Sequence, residues 1–469
     1  MFDISIIVAF LVANLLIGYY CGRDIRTFSE YSVWQRSFSV FAICATLTAS
    51  FVGGGYTLGN ASKVYDIGMI YAYGLLGFSL KEIMVALFIA PRMDAFNDCH
   101  SVGDIMEKRY GLRAKMITGV FSVLICTGIL GAQVSAIGAL FTTFFGISQF
   151  YGLLAGYGVM IAYAALGGMR SVVYTDVLQF CILMIGIPLA FFFGLHAVGG
   201  WHNVAASVPA ASINPFLGPD GGWALFALML TFFFGEILVP PYVQRLFMAR
   251  TSRETLWATL ISGLISVPIF LISGAIGLIA LVMNPDINAN LAVPYVVDHA
   301  MPVGLKGLVI ASLLAIIMSS AAGFLNAAAI AFTNDIFLPL CKRDNLSHKA
   351  VLLLARCVAL FVGLGAIAIA FSVKNILDIL VYAYNMWSPV ILVPLVAVIF
   401  GWRTGKREFY ASACAGGVSM LVWSLILGEP YHLTGNVVGV VVSLLAFVVC
   451  RVLWRTPAAV PNIAENSPS

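Results

Sequence analysis

Charge is what this 469-residue chain has least of. Asp, Glu, Lys and Arg make up 10% of it, against about 25% in a soluble domain. That shortage excludes a soluble globular protein. With 61% hydrophobic residues, the chain reads as an integral membrane protein with very little soluble mass. The formal net charge of +4 reflects basic loops rather than a nucleic-acid surface. The 6 histidines show no metal-binding spacing, and HExxH, CxxC and Walker patterns are missing, so an enzyme has nothing to stand on. The 9 cysteines are scattered singly. Cys21, Cys44, Cys126, Cys181, Cys357, Cys414 and Cys450 lie in or at the ends of apolar stretches, and Cys99 and Cys341 fall in loops expected inside the cell. No pair sits on an expected outer loop, so no disulfide framework is implied. The first apolar stretch, Ile4 to Tyr20, has neither a basic leader nor a clear cleavage site and reads as a retained helix.

What the chain does have is long apolar runs. A spanning helix needs about 20 mostly apolar residues. Thirteen segments qualify: 3–22, 37–62, 68–92, 114–145, 148–167, 171–198, 222–247, 254–283, 303–336, 348–372, 374–401, 407–428 and 434–454. Lys and Arg concentrate after the odd-numbered spans, including Arg23, Arg26, Arg36, Lys108, Arg109, Arg170, Arg245, Arg250, Arg253, Lys342, Arg343, Arg403 and Lys406. The opposite loops hold little beyond Lys306 and Lys374. This asymmetry predicts the N-terminus outside and the C-terminus in the cytoplasm.

Two spans are interrupted at matching places. The second contains Gly53-Gly54-Gly55, and the seventh contains Pro240-Pro241. Standing five spans apart, they cross in opposite directions. Paired breaks in inverted repeats point to a midplane binding site where unwound carbonyls hold a cation. Gly and Pro are also simply tolerated in membrane helices. A further signal is Gly167 to Gln179, GGMRSVVYTDVLQ. It carries Asp176 into a span, where a charge costs roughly 3 kcal/mol on an insertion scale.

Several segments together resemble the sodium/solute symporter family. They are Ala49 to Tyr65 (ASFVGGGYTLGNASKVY), the Gly167 to Gln179 run, Tyr242 to Arg245 (YVQR), Met318 to Asn326 (MSSAAGFLN) and Phe332 to Ile336 (FTNDI). Within the family, Phe51 to Tyr56 and the GEPY at Gly428 to Tyr431 are most similar to the high-affinity choline transporter branch. The resemblance implies an all-α membrane protein of 13 transmembrane helices with the LeuT-type five-plus-five inverted repeat and broken first and sixth core helices. It divides the chain into a peripheral helix and inner loop (1–36), a first repeat (37–198), an outer loop (199–221), a second repeat (222–401), two peripheral helices (402–455) and a cytoplasmic tail (456–469).

The same resemblance implies a sodium site. Its ligands would be the carbonyls of Ala49, Val52 and Ile316 and the hydroxyls of Ser319 and Ser320. Taken alone, a buried serine pair also fits back-bonding to its own helix. Where some members use further serines for a second sodium, this chain has Ala322 and Gly323. One sodium per cycle is therefore expected, with Asp176 tuning the site from behind or taking up a proton. A structural hydrogen bond from Asp176 to the helix ends at Gly167 and Gly168 is the alternative.

The substrate positions that the resemblance carries over are Phe51, Phe78, Ile129 and Val239; Gly53 is a further candidate, and Gln133, Tyr242, Asn385 and Trp387 are candidate pocket groups that also fit helix glue or interface anchors. In the choline branch, aromatic rings at such positions attract the quaternary ammonium. Here a tryptophan becomes Phe51, a tyrosine becomes Phe78, and two tryptophans become Ile129 and Val239. Glu236, one turn before the Pro240 break, could instead pair with a solute ammonium or with Lys81.

The expected function is sodium-driven import of a small organic solute, cationic or zwitterionic by preference, through a plasma membrane or bacterial inner membrane. Na+ is the coupling ion, with no organic cofactor. The expected partners are the solute, sodium and the bilayer, without nucleic acid, in a monomer or weak homo-oligomer. Proton coupling through Asp176 or Glu236, and a non-transporting solute sensor, are the alternatives.

Overall fold

The computed structural model describes residues 2–218, 220–341, 347–372 and 387–454. The candidate pocket residue Asn385 lies outside them, as do Lys342, Arg343 and Lys374. Among the described residues all regular structure is helical, apart from one isolated bridge between Phe38 and Ala249. Helices are the expected solution for an apolar chain in lipid, because each backbone N–H and C=O is then satisfied within its own segment.

The elements that matter for the site are α1 (Phe2–Gly22), α2 (Val40–Phe51), α3 (Gly54–Ile67), α4 (Leu76–Met84), α5 (Leu112–Phe145), α6 (Gln149–Ala197), α7 (Gly221–Gly235), α8 (Pro240–Leu246), α9 (Ser252–Met283) and α10 (Leu305–Ala331). Among the described residues nine helices are long and apolar enough to cross a membrane, or 11 when each bent pair counts as one span. At 49 residues, α6 would be about 74 Å long, far beyond a hydrocarbon core of about 30 Å. Gly168 interrupts it with φ 50° and ψ −152°, between the two spans expected at 148–167 and 171–198. A side chain at Gly168 would lie 2.6 Å from the Tyr31 carbonyl. Only glycine serves in that conformation and at that distance. The expected span 374–401 is described only in its second part, which contains the short apolar helix Ser388–Ile399.

Both sequence interruptions are real breaks. α2 and α3 meet at 45°, and α7 and α8 at 65°. In the first, the α2 helix ends at Phe51 and Gly53 is extended before α3 begins. In the second, Leu238 has a positive φ of 52°, and Pro240-Pro241 offer no N–H to the preceding turn. The carbonyls released there find donors from a neighbouring segment. Trp387 Nε1 donates to the Ile237 carbonyl at 3.3 Å, and Ser388 Oγ donates to those of Gly235 (3.1 Å) and Phe234. This satisfaction from outside is what lets a broken helix persist at membrane depth.

At the heart of the bundle runs α10, continuous with the span Leu305–Leu340, whose most apolar window is 94% buried. It packs most extensively against α6 and α5. A helix apolar on all sides belongs in such a place. On one side of the breaks the chain is tied shut. Arg36 donates from Nη1 to the Phe247 carbonyl (2.9 Å) and Asn97 Oδ1 (3.1 Å), and from Nη2 to the Cys99 carbonyl (3.1 Å). The Phe38 N–H reaches the Met248 carbonyl beside it. On the other side a small cavity is lined by Gly54, Gly55, Leu58, Ala136, Asn290 and Pro294.

Candidate functional site: two buried charge clusters at the helix breaks

The end of α2 meets α10 side-on. The last carbonyls of any helix lack intrahelical partners, and in α2 these include Ala49 and Ser50. Ser320 Oγ donates to the Ser50 carbonyl at 2.6 Å and to the Ile316 carbonyl at 3.2 Å. A Cβ added to Gly53 would collide with that hydroxyl. The structure gathers Ser320, the Ile316 carbonyl and the Ser50 carbonyl at one buried point beside Gly53, with the Ile316 contact a back-bond within the helix of Ser320. A hard cation is held by a ring of such neutral oxygens, so these residues fit a sodium ion.

Ser319 takes a different attitude. Its hydroxyl donates to Asp176 Oδ1 at 2.6 Å and lies 3.1 Å from Ser50 Oγ. Handing its proton to a carboxylate leaves the Ser319 lone pairs available to a cation. Asp176 thus accepts directly from Ser319. It makes no use of the helix ends at Gly167 and Gly168. Its other oxygen, Oδ2, accepts from Thr46, from Ser50 at 3.2 Å, and from Arg245 Nη2 at 3.3 Å.

Arg245 is the main residue that the sequence misplaced. Counted among the inner-loop basic residues, it is in fact fully buried, as is Asp176. Its Nε donates to Thr46 Oγ1 (2.9 Å), Nη1 to the Pro241 carbonyl (2.8 Å) and Nη2 to Ser50 Oγ (2.5 Å). Gly323 makes the space for it, since a Cβ there would lie 2.7 Å from Nη2. Gly323 is one of the positions where a second-sodium serine was missing. The signal was present in the chain. Thr46 and Ser50 lie one turn apart on α2, and Arg245 follows the Pro240 break by little more than one turn, too close to reach the interface.

A second cluster forms around Phe51, Phe78 and Tyr242. The Lys81 ammonium sits among all three, 3.7 Å from the Phe78 ring centroid, 4.8 Å from that of Tyr242 and 5.8 Å from that of Phe51. Its carboxylate partner is Glu82, the next residue, with Nζ to Oε1 at 2.6 Å. Glu82 Oε2 accepts a hydrogen bond from the Tyr242 hydroxyl at 2.8 Å. Glu82 was not foreseen, and it rather than Glu236 answers Lys81. Glu236 is buried in the α7–α8 break at the C-terminal end of α7. Gln133 lies over the first break, where a Cβ on Gly54 would come within 3.1 Å of its Oε1. Ile129 and Val239 are buried, and their side chains offer neither ring nor polar atom. Phe51 joins the two clusters, with the Arg245 guanidinium 5.6 Å from its centroid.

Residues 31–413 match the sodium:solute symporter family. The chain belongs to that family. High-affinity choline transporter 1 of Caenorhabditis elegans is 24% identical over 461 residues, covering 90% of this chain and 77% of that protein. A sodium/proline symporter of Staphylococcus aureus is 25% identical over 486 residues, covering 97% and 93%. These relatives are transporters rather than enzymes. Among solved structures, a Na+-coupled sialic acid symporter in a substrate-bound outward-open state superposes with a TM-score of 0.85 at 20% identity, covering 97% of this chain and 98% of the other. A nucleobase-cation-symport-1 family transporter in a closed conformation gives 0.60 at 12% identity, covering 92% and 96%. The fold is the LeuT-type inverted repeat with broken first and sixth core helices. α2–α3 is the first of these and α7–α8 the sixth.

Proposed function

We propose that this family member is a sodium-coupled symporter that imports a small organic solute by alternating access, with one sodium ion per cycle. The observation that carries this reading is the meeting of Ser320, the Ile316 carbonyl and the frayed end of α2 beside Gly53. Ala49, Val52 and Ile316 would supply carbonyls, and Ser319 and Ser320 hydroxyls. The sequence homology of the chain to a sodium/proline symporter adds support. A single sodium is favoured because the Arg245 guanidinium already neutralises Asp176 where a second cation would need that carboxylate. The ion would tie α2 to α10, and the solute would lie by Phe51, Phe78, Gln133 and Tyr242. The basic-loop asymmetry supports a cytoplasmic C-terminus in a plasma membrane or bacterial inner membrane.

Proton coupling through Asp176 is disfavoured, since protonating it would strand a fully buried guanidinium. The test is the thermal stability of purified protein in sodium against potassium at equal ionic strength. A ligand that binds only the folded state raises its apparent stability by mass action. Sodium-specific stabilisation is expected. A response to pH with none to sodium would replace sodium with protons.

A further inference from the structure

We propose that Lys81 is the solute-recognising group of this transporter and that its solute is a small carboxylate rather than an organic cation. The proposal rests on the symporter reading for its coupling ion, and on the α4 cluster for its chemistry. Three aromatic faces converging on one point form a receptor for a cation. In this chain the point is taken by a resident ammonium, held among Phe51, Phe78 and Tyr242 with its side chain wholly buried. A second cation would have to displace that ammonium from all three rings. The rings that would have welcomed an organic cation now serve Lys81.

What the cluster offers a solute is donors. Lys81 and Glu82 are sequence neighbours, and adjacent helix positions do not face each other. Their contact is close, at 2.6 Å, yet neither Lys81 Nζ nor Glu82 Oε1 has a well-aligned hydrogen-bond partner. Glu82 spends its other oxygen on the Tyr242 hydroxyl. One N–H of Lys81 faces Glu82, and the other two have no acceptor, which leaves them the unspent polar resource at this depth, where an unmade hydrogen bond is costly. A carboxylate is the group that satisfies them, and it does so without adding net positive charge. One sodium and one monocarboxylate also make a cycle that moves no net charge.

The test uses purified full-length protein and two measurements. Stabilisation by acetate, pyruvate, lactate and benzoate is titrated against choline and proline, each in sodium and in potassium. The same titrations are run on Lys81→Met/Glu82→Gln, which removes both charges and strands neither. We expect at least one carboxylate to stabilise the wild type and choline to have no effect. The double variant should bind that carboxylate about tenfold to a hundredfold more weakly, the loss expected for a charged hydrogen-bonding partner. Its retained sodium response reports that it is folded. Should it fail to fold, Lys81→Arg decides, because the bulkier guanidinium displaces the donors and must alter carboxylate affinity. Preference for choline or proline, silence from every carboxylate, or unchanged carboxylate affinity in the variant overturns the proposal. Carboxylate binding that is equal in sodium and potassium would leave it standing and remove the sodium coupling instead.

Discussion

At the scale of single residues, the most consequential pair is Asp176 with Arg245. Both side chains are fully buried, and removing one partner of such a pair costs about 3–5 kcal/mol because the other is left uncompensated. Arg245→Met should therefore destabilise the protein by that amount. Asp176→Asn combined with Arg245→Met should recover much of the loss, and a double-mutant cycle from denaturation midpoints measures the coupling. Gly323→Ser should act on the same pair from the other side, since its Cβ would press on Nη2 at 2.7 Å. The expected result is a lower melting temperature without any second sodium. At this scale the sequence was legible where a residue type is rare at depth. Asp176 announced itself. Arg245 did not, because an arginine a few residues from a loop looks like an anchor until the α7–α8 break turns it inward. Lys81 was visible, but its partner Glu82 was overlooked because neighbouring helix residues ordinarily point apart.

At the scale of elements, the proposed sodium site rests on the two breaks. Gly53 matters because its missing Cβ lets α2 approach Ser320. Gly53→Ala should weaken sodium-specific stabilisation by about tenfold or more, the cost of displacing one oxygen from a charged ligand. Gly365→Ala, whose Cβ would meet nothing within 4 Å, is the control expected to leave it unchanged. Titration of sodium against melting temperature in both variants checks this. Glycine and proline marked both breaks in the sequence, because those residues lack the Cβ or the N–H that a continuous helix uses. What caps the broken ends was not legible. The Trp387 and Ser388 donors to the 234–237 carbonyls lie some 150 residues away in the chain, and no local pattern links them.

At the scale of the whole molecule, one side of the breaks is strapped by Arg36 and the other holds a cavity beside Gly54 and Asn290. Arg36→Ala removes three hydrogen bonds that join the residues before α2 to those after α8 and to the 97–99 segment. The buried Cys99 thiol should then become accessible. Its maleimide labelling, read peptide by peptide with mass spectrometry, should accelerate relative to wild type. A transporter that rocks between two closures gains population on the open side when one closure loses differential contacts. The all-helical bundle and its two broken helices were legible from hydropathy and the matched breaks. The side on which the bundle is closed was not, because it depends on contacts between segments far apart in the chain.

The central claim is a single sodium ion held where α2 breaks against α10. Direct binding of radioactive sodium to purified protein tests it most plainly, with wild type beside Ser320→Ala. A saturating isotherm with one ion per chain, weakened strongly in Ser320→Ala and indifferent to potassium, is the predicted result. Two ions per chain, or an isotherm unchanged by Ser320→Ala, would contradict it.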